Sequence, residues 1–221
     1  PLIDLLVSIV IPSFILMKFS SPGQLGPTVA LMMALAFPLG WGLTELARYR
    51  KFNFIALLGL LSVLLTGGIG LLQLDAQWLA IKEAAIPAVI GLVVLISAYT
   101  PYPLVRTLLY NPRIIDTGKV ENRLHELGNA RHFEARLLNA TYFLSGTFLF
   151  SAIMNYVLAT WIVTSPAGSA EFNEQLGRMT LLSYPVIAIP SMLMMMALVY
   201  YLWTTMRNLT GFTLEEIIRE Y

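Results

Sequence analysis

Residues 52–74 read FNFIALLGLLSVLLTGGIGLLQL, an uninterrupted apolar run flanked by the charges Lys51 and Asp75. About 20 apolar residues match the hydrocarbon thickness of a bilayer, and a helix satisfies its own backbone hydrogen bonds there. Working outward, the other charge-free runs are 5–17, 19–44, 84–105, 137–170 and 179–206. The first is short but becomes adequate if its helix starts near Leu2 and ends near Phe19. The chain therefore reads as an all-α membrane protein with six transmembrane helices in one integral domain, 1–221. The spans fall at about 2–19, 27–47, 54–74, 79–99, 140–163 and 179–206.

Composition agrees. Hydrophobic residues make up 57% of the 221 positions and charged residues 12%, with mean hydropathy +0.71. A soluble domain averages about 25% charged residues, so a water-soluble globule this small lacks the polar surface to cover itself. Orientation follows from the loop lysines and arginines. With the N-terminus inside, eleven lie on the cytoplasmic side: Arg48, Arg50, Lys51, Arg106, Arg113, Lys119, Arg123, Arg131, Arg136, Arg207 and Arg219. Only Lys18, Lys82 and Arg178 lie outside. Both termini are expected in the cytoplasm.

The long inner loop, 100–139, is expected to be helical. Pro101 and Pro103 end the fourth helix. From Asp116, the positions Val120, Leu124 and Leu127 have helical spacing, and Gly128 fits the glycine that ends a helix. Asn129 is placed to cap a second short helix carrying Phe133 and Leu137, which then feeds the fifth span. These amphipathic pieces lie at the membrane surface or close the cytoplasmic end of the bundle. Thr213-Leu-Glu-Glu216 reads as a capping box for a last helical turn. A threefold hairpin repeat would align Pro38, Pro87 and Pro185 in the second, fourth and sixth helices. The chain opens at Pro1 rather than Met, so an N-terminal piece is expected to be missing from this numbering, and the first apolar run carries no signal-peptide cleavage pattern.

Several chemistries are excluded or unsupported. There is no cysteine, hence no disulfide, thiolate metal site or Cys nucleophile. His125-Glu126 and Arg131-His132 do not form a His-Glu-x-x-His zinc motif. No Gly-x-Ser-x-Gly elbow, phosphate-binding glycine loop or two-metal carboxylate cluster appears. The reading is a non-enzyme with no cofactor and no metal. A net charge of +1 argues against nucleic acid as a partner.

Polar groups concentrate near the outer ends of the third and fourth helices. Lys82 and Glu83 sit about one turn inside the fourth helix, beside Asp75, Gln77 and Trp78. Ionisable groups in a bilayer usually face a partner or a water-filled cavity, which makes this a candidate solute or proton site. The plainer reading has Lys82 snorkelling to the headgroups, Glu83 favouring the helix N-terminus, and Trp78 in the interfacial belt. Gly67, Gly68 and Gly70 permit close helix packing, or an unwound turn that exposes carbonyls to a ligand. Asn155 and Tyr156, with Ser145, Thr147 and Ser151, are placed to hydrogen-bond between helices. Met192, Met194, Met195 and Met196 line an adaptable pocket or face lipid. Arg178, at the outer start of the sixth helix, joins the candidate substrate-binding set of Gly67, Gly68, Gly70, Asp75, Trp78, Lys82, Glu83 and Asn155.

The run from Leu65 to Pro87, with Gly67-Gly68, a short polar turn, Trp78 and Lys82 in that order, is similar to the central segment of the intracellular septation protein A family. The segments Leu138–Trp161 and Phe172–Arg178 look like its second half. The chain resembles more closely a group of uncharacterised bacterial six-helix membrane relatives, sometimes labelled transporter-like. The long inner loop and 184–190 fit those relatives better. The resemblance implies a multi-pass protein of a bacterial inner membrane linked to envelope synthesis or division, and it carries over no catalytic residue. Two functions stay open: a small-solute transporter or channel-like protein, and a non-transporting scaffold for envelope machinery. The partners implied are the lipid bilayer, a small solute or envelope-machinery proteins, with a homo-oligomer also compatible.

Overall fold

The computed structural model describes residues 6–49, 54–100, 103–112 and 115–217, with the side chains of 45–49, 54–60 and 214 left undescribed. The expected helix start near Leu2, Pro101, Tyr102, and the basic residues Arg50, Lys51, Arg113 and Arg219 lie outside the described residues. Among the described residues the chain is helical with no strand. A π-helical turn, Leu6–Val10, leads into α1 (Ile11–Phe19). Then come α2 (Gly26–Tyr49), α3 (Phe54–Leu71), α4 (Gln77–Ser97), α5 (Leu104–Leu108) and α6 (Thr117–Glu126). The chain continues with α7 (Ala130–Ile162), α8 (Ala170–Ser183), a second π-helical turn at Tyr184–Ala188, α9 (Ile189–Thr210) and α10 (Leu214–Ile217).

Four helical stretches are long and apolar enough to cross a membrane: Gly26–Thr44, Gln77–Ser97, Ala130–Ile162 and Ala170–Thr210. Leu6–Phe19 and Leu61–Leu71 are apolar but shorter over the described residues. Large apolar side chains stand exposed along these helices, Trp161 at 81% and Tyr99 at 76% among them. Water tolerates such surface poorly and lipid accepts it, which fits a multi-pass membrane protein.

Two boundaries differ from expectation. Phe133 and Leu137 do not sit on a separate short helix. They share α7 with Ala140 and Leu144, and all four are buried on one face at helical spacing. That stripe keeps the 33-residue helix unbroken. Asn129 precedes this helix, its carbonyl accepting the Phe133 N–H at 3.0 Å, and its Nδ2 donates to the Leu209 carbonyl at 2.8 Å. The last span also begins earlier than 179, at Ala170, where the Ser169 hydroxyl accepts the Phe172 N–H at 3.0 Å. Of the three prolines aligned by the suspected repeat, only Pro185 lies in a π-helical turn; Pro38 and Pro87 lie within continuous α-helix.

The chain divides into two compact units. The first comprises residues 1–86 and 152–188. In it α1 packs against α2 and α8, and α2 packs against α3. Its core includes Leu16, Ala30, Leu31, Ile69, Leu79, Phe172 and Leu176. Gly177 lets α8 meet α1 closely, since a Cβ there would lie 2.8 Å from the Ser13 carbonyl oxygen.

The second unit comprises 87–151 and 189–221, with Val94, Val105, Val120, Leu124, Phe133, Leu137, Leu198 and Leu202 in its core. The expected loop helix is present. Asp116 caps it by accepting the Lys119 N–H at 3.1 Å. At its other end Gly128, at φ +71°, permits paired bonds from Gly128 N–H to His125 O and Asn129 N–H to Leu124 O. Val120 and Leu124 are buried in the unit's core, while Leu127 is exposed. The C-terminal turn docks on this helix: Asp116 N–H donates to Ile217 O at 2.9 Å, and Lys119 Nζ donates to Glu216 O at 3.1 Å.

Candidate functional site

Ser62 and Thr66 stand four residues apart on α3, hence on one face. Lys82 extends from α4 to meet them. Its Nζ donates to Thr66 Oγ1 at 2.7 Å, Ser62 Oγ at 3.1 Å and Glu83 Oε1 at 2.6 Å, with the Ser62 carbonyl at 3.4 Å. An ammonium has three N–H donors, so all three are engaged. Thr66 Oγ1 spends its own hydrogen on the Ser62 carbonyl at 3.0 Å and turns its lone pairs toward Lys82. The Lys82 side chain is 7% exposed and Glu83 24%. Lys82 thus lies against α3 rather than reaching outward to headgroups.

The pair opens on a cleft of about 160 Å³, all within the first unit. Ser8 and Pro12 contribute from the π-helical turn and α1, Pro38 from α2, and Thr180 from α8. π-Helical turns recur at functional sites because they break the regular bonding ladder. Among the described residues, Lys82 and Glu83 are the only ionisable ones lining it.

The other expected site residues are placed differently. Asp75 is exposed and accepts the Gln77 N–H at 2.8 Å, shaping the start of α4. Trp78 and Arg178 are exposed, and Asn155 is half-buried. A Cβ on Gly67 would meet Leu35 Cδ1 at 2.7 Å, and one on Gly70 would press on Leu31 Cδ2. These two glycines therefore serve the packing of α3 on α2. Gly68 has open space around it and, with Gly67, lines a separate apolar groove beside Met32 and Leu64. Of the nine residues proposed from sequence, only Lys82 and Glu83 line the cleft. Ser62, Thr66 and Thr180 were missed. The readable signal was the pair of hydroxyls at i, i+4 on an otherwise apolar helix, facing a lysine on the next one.

A second polar cleft, of about 170 Å³, lies in the second unit and is lined by Arg106, Glu121, His125 and Glu134 over Leu124 and Phe133. Arg106 pairs with Glu134. Both are substantially exposed, and such pairs add at most about 1 kcal/mol. Nearby, burial pushes the Tyr110 phenol well above its ordinary value, and its hydroxyl donates to Thr117 O at 3.2 Å. Among the described residues no group of three or more His, Asp or Glu is arranged to hold a metal. No family model, curated protein or solved structure matches the chain.

Proposed function

We propose that the chain is a six-span protein of a bacterial inner membrane, with both termini cytoplasmic, that binds and passes a small solute at the Lys82–Glu83 cleft. It is not an enzyme in this reading. One observation carries it: a buried lysine on an apolar helix, with every donor engaged, lining an open cleft. Charges inside membrane helices are costly and mark solute or ion paths. The topology rests on the distribution of basic residues, eleven against three.

Topology is tested with accessibility tags. Tags at Asn53, Thr117 and Tyr221 should report cytoplasmic, and tags at Gly23, Ala76 and Gly168 the outer side. A reversed inner tag refutes the six-span arrangement. The site is tested by thermal unfolding of the purified chain against a panel of anions, cations and uncharged solutes. A bound solute at a hundred times its Kd stabilises by about 2.7 kcal/mol. Thr180→Leu, which fills the cleft from α8, should abolish the shift while leaving the chain folded. The scaffold reading predicts that no solute stabilises the parent, and that neutralising Lys82 and Glu83 together leaves its biological role intact.

A further inference from the structure

We infer that the ligand of this cleft is a small uncharged hydrogen-bond donor rather than an ion, an inference that rests on the solute-site reading above. Among the described residues the lining carries one ammonium and one carboxylate, whose formal charges cancel. An anion would need donors, and Lys82 has none to spare: its three N–H groups are held by Ser62, Thr66 and Glu83. Binding an anion there means breaking one of those bonds and leaving Glu83 or a hydroxyl without its donor. A cation would have to approach Glu83 with the Lys82 ammonium already 2.6 Å from the same carboxylate. Either ion brings an uncompensated charge against walls that are largely apolar, which is costly.

Besides the Ser8 and Ser13 hydroxyls, which can donate or accept, what the cleft offers is acceptors. Glu83 Oε1 is engaged by Lys82, and Oε2 receives no hydrogen bond from any described residue. The Thr180 hydroxyl spends its hydrogen on the Leu176 carbonyl at 2.9 Å, which leaves its lone pairs for a ligand. The remaining walls are largely apolar, with Leu16, Leu35, Pro38 and Val63 among them. A ligand that donates hydrogen bonds, carries no charge and has a small apolar part meets all of these demands. Size is bounded as well, because a cavity of roughly 150 Å³ accommodates benzene and this one measures about 160 Å³. Short alcohols, polyols and primary amides fall in that class.

Three solutes of similar size and different charge provide the test: acetamide, acetate and methylammonium, titrated onto the full chain in detergent micelles with ligand-observed NMR as the readout. Acetamide should bind at least 10-fold more tightly than either ion, and Thr180→Leu should remove its binding. Tighter binding of acetate or methylammonium, lost in Thr180→Leu, would overturn the inference and leave the solute site standing. Acetamide binding that survives in a folded Thr180→Leu also overturns it. The comparison of the three solutes needs only the parent chain, so a variant that fails to fold does not shield the inference. If none of the three binds and the wider panel stabilises nothing, the solute-site reading itself fails. An uncharged donor found in that panel supports the inference, and a charged ligand there refutes it.

Discussion

In the first unit, the buried side-chain nitrogens bond across elements. Asn173, wholly buried on α8, donates to Ser20 Oγ at 3.1 Å and to the Pro27 carbonyl at 2.7 Å, tying α8 to the end of α1 and the start of α2. Lys82 ties α4 to α3 in the same manner. In the second unit, buried hydroxyls mostly turn back on their own helix. Thr141 donates to Leu137 O at 2.9 Å, Thr210 to Met206 O at 2.7 Å, and Ser97 to Val94 O at 2.6 Å. Ser145 instead donates across elements to Gly91 O at 2.9 Å, where a Cβ on Gly91 would come within 3.1 Å of Phe148, and Ser97 also accepts the Leu104 N–H at 3.0 Å. A hydroxyl bonded within its helix is satisfied wherever that helix goes. One bonded across elements specifies a neighbour, and it creates places where a third partner can be received.

The largest effect expected from this contrast is at Asn173. Asn173→Ala removes both cross-element donors from a buried position, a loss of about 1–3 kcal/mol for groups left unsatisfied. The value should fall toward the lower end, because Asn173 Oδ1 is buried without a donor among the described residues and the same change removes it. Thermal or denaturant unfolding in detergent measures this. An undiminished midpoint would mean that the tie adds nothing.

Thr141→Val sharpens the comparison from the other side. The site is wholly buried, yet the change removes a hydroxyl whose partner, the Leu137 carbonyl, remains within the helical ladder. Replacing a polar group by an apolar one of the same shape is nearly neutral in that case, so the midpoint should move by less than about 1 kcal/mol. A loss as large as that at Asn173 would break the distinction between the two units.

The smallest effect is at the C-terminal turn. Bonds from the Thr213 N–H at 2.8 Å and from the Thr213 hydroxyl at 3.0 Å hold the Glu216 carboxyl below its ordinary value of 4.5. A depressed folded-state pKa contributes stability above the ordinary value, and that contribution is lost as pH falls through the folded-state value. The difference in stability between parent and Glu216→Gln should therefore be present at neutral pH and vanish in acid. Equal stability at neutral pH would remove the capping bond from the account.

Part of the site was legible. Lys82 and Glu83 stood out because ionisable residues are rare on an apolar helix, but their neighbours in sequence, Asp75 and Trp78, are exposed and do not join them. The partners that matter are on α3 and α8, and no local pattern states which face of α3 is turned toward Lys82. The glycines at 67 and 70 were open between packing and ligand approach, and the nearness of Leu35 and Leu31 favours packing. Gly177 gave no signal of its own in the sequence, although it meets the Ser13 carbonyl.

The sequence by itself determined the helical class, four of the membrane-length apolar stretches, the loop helix from Asp116 to Gly128 and the Thr213–Glu216 bond. Each depends on hydropathy or on hydrogen bonds between residues at most six apart. Only the tertiary structure decided that α7 runs unbroken from Ala130 to Ile162, because the stripe from Phe133 to Leu144 gains its burial from other helices. It also decided that Lys82 is an interior group. A lysine stem is long enough to reach either headgroups or a neighbouring helix, and the choice is made by the acceptors of Ser62 and Thr66, 16 to 20 residues away along the chain.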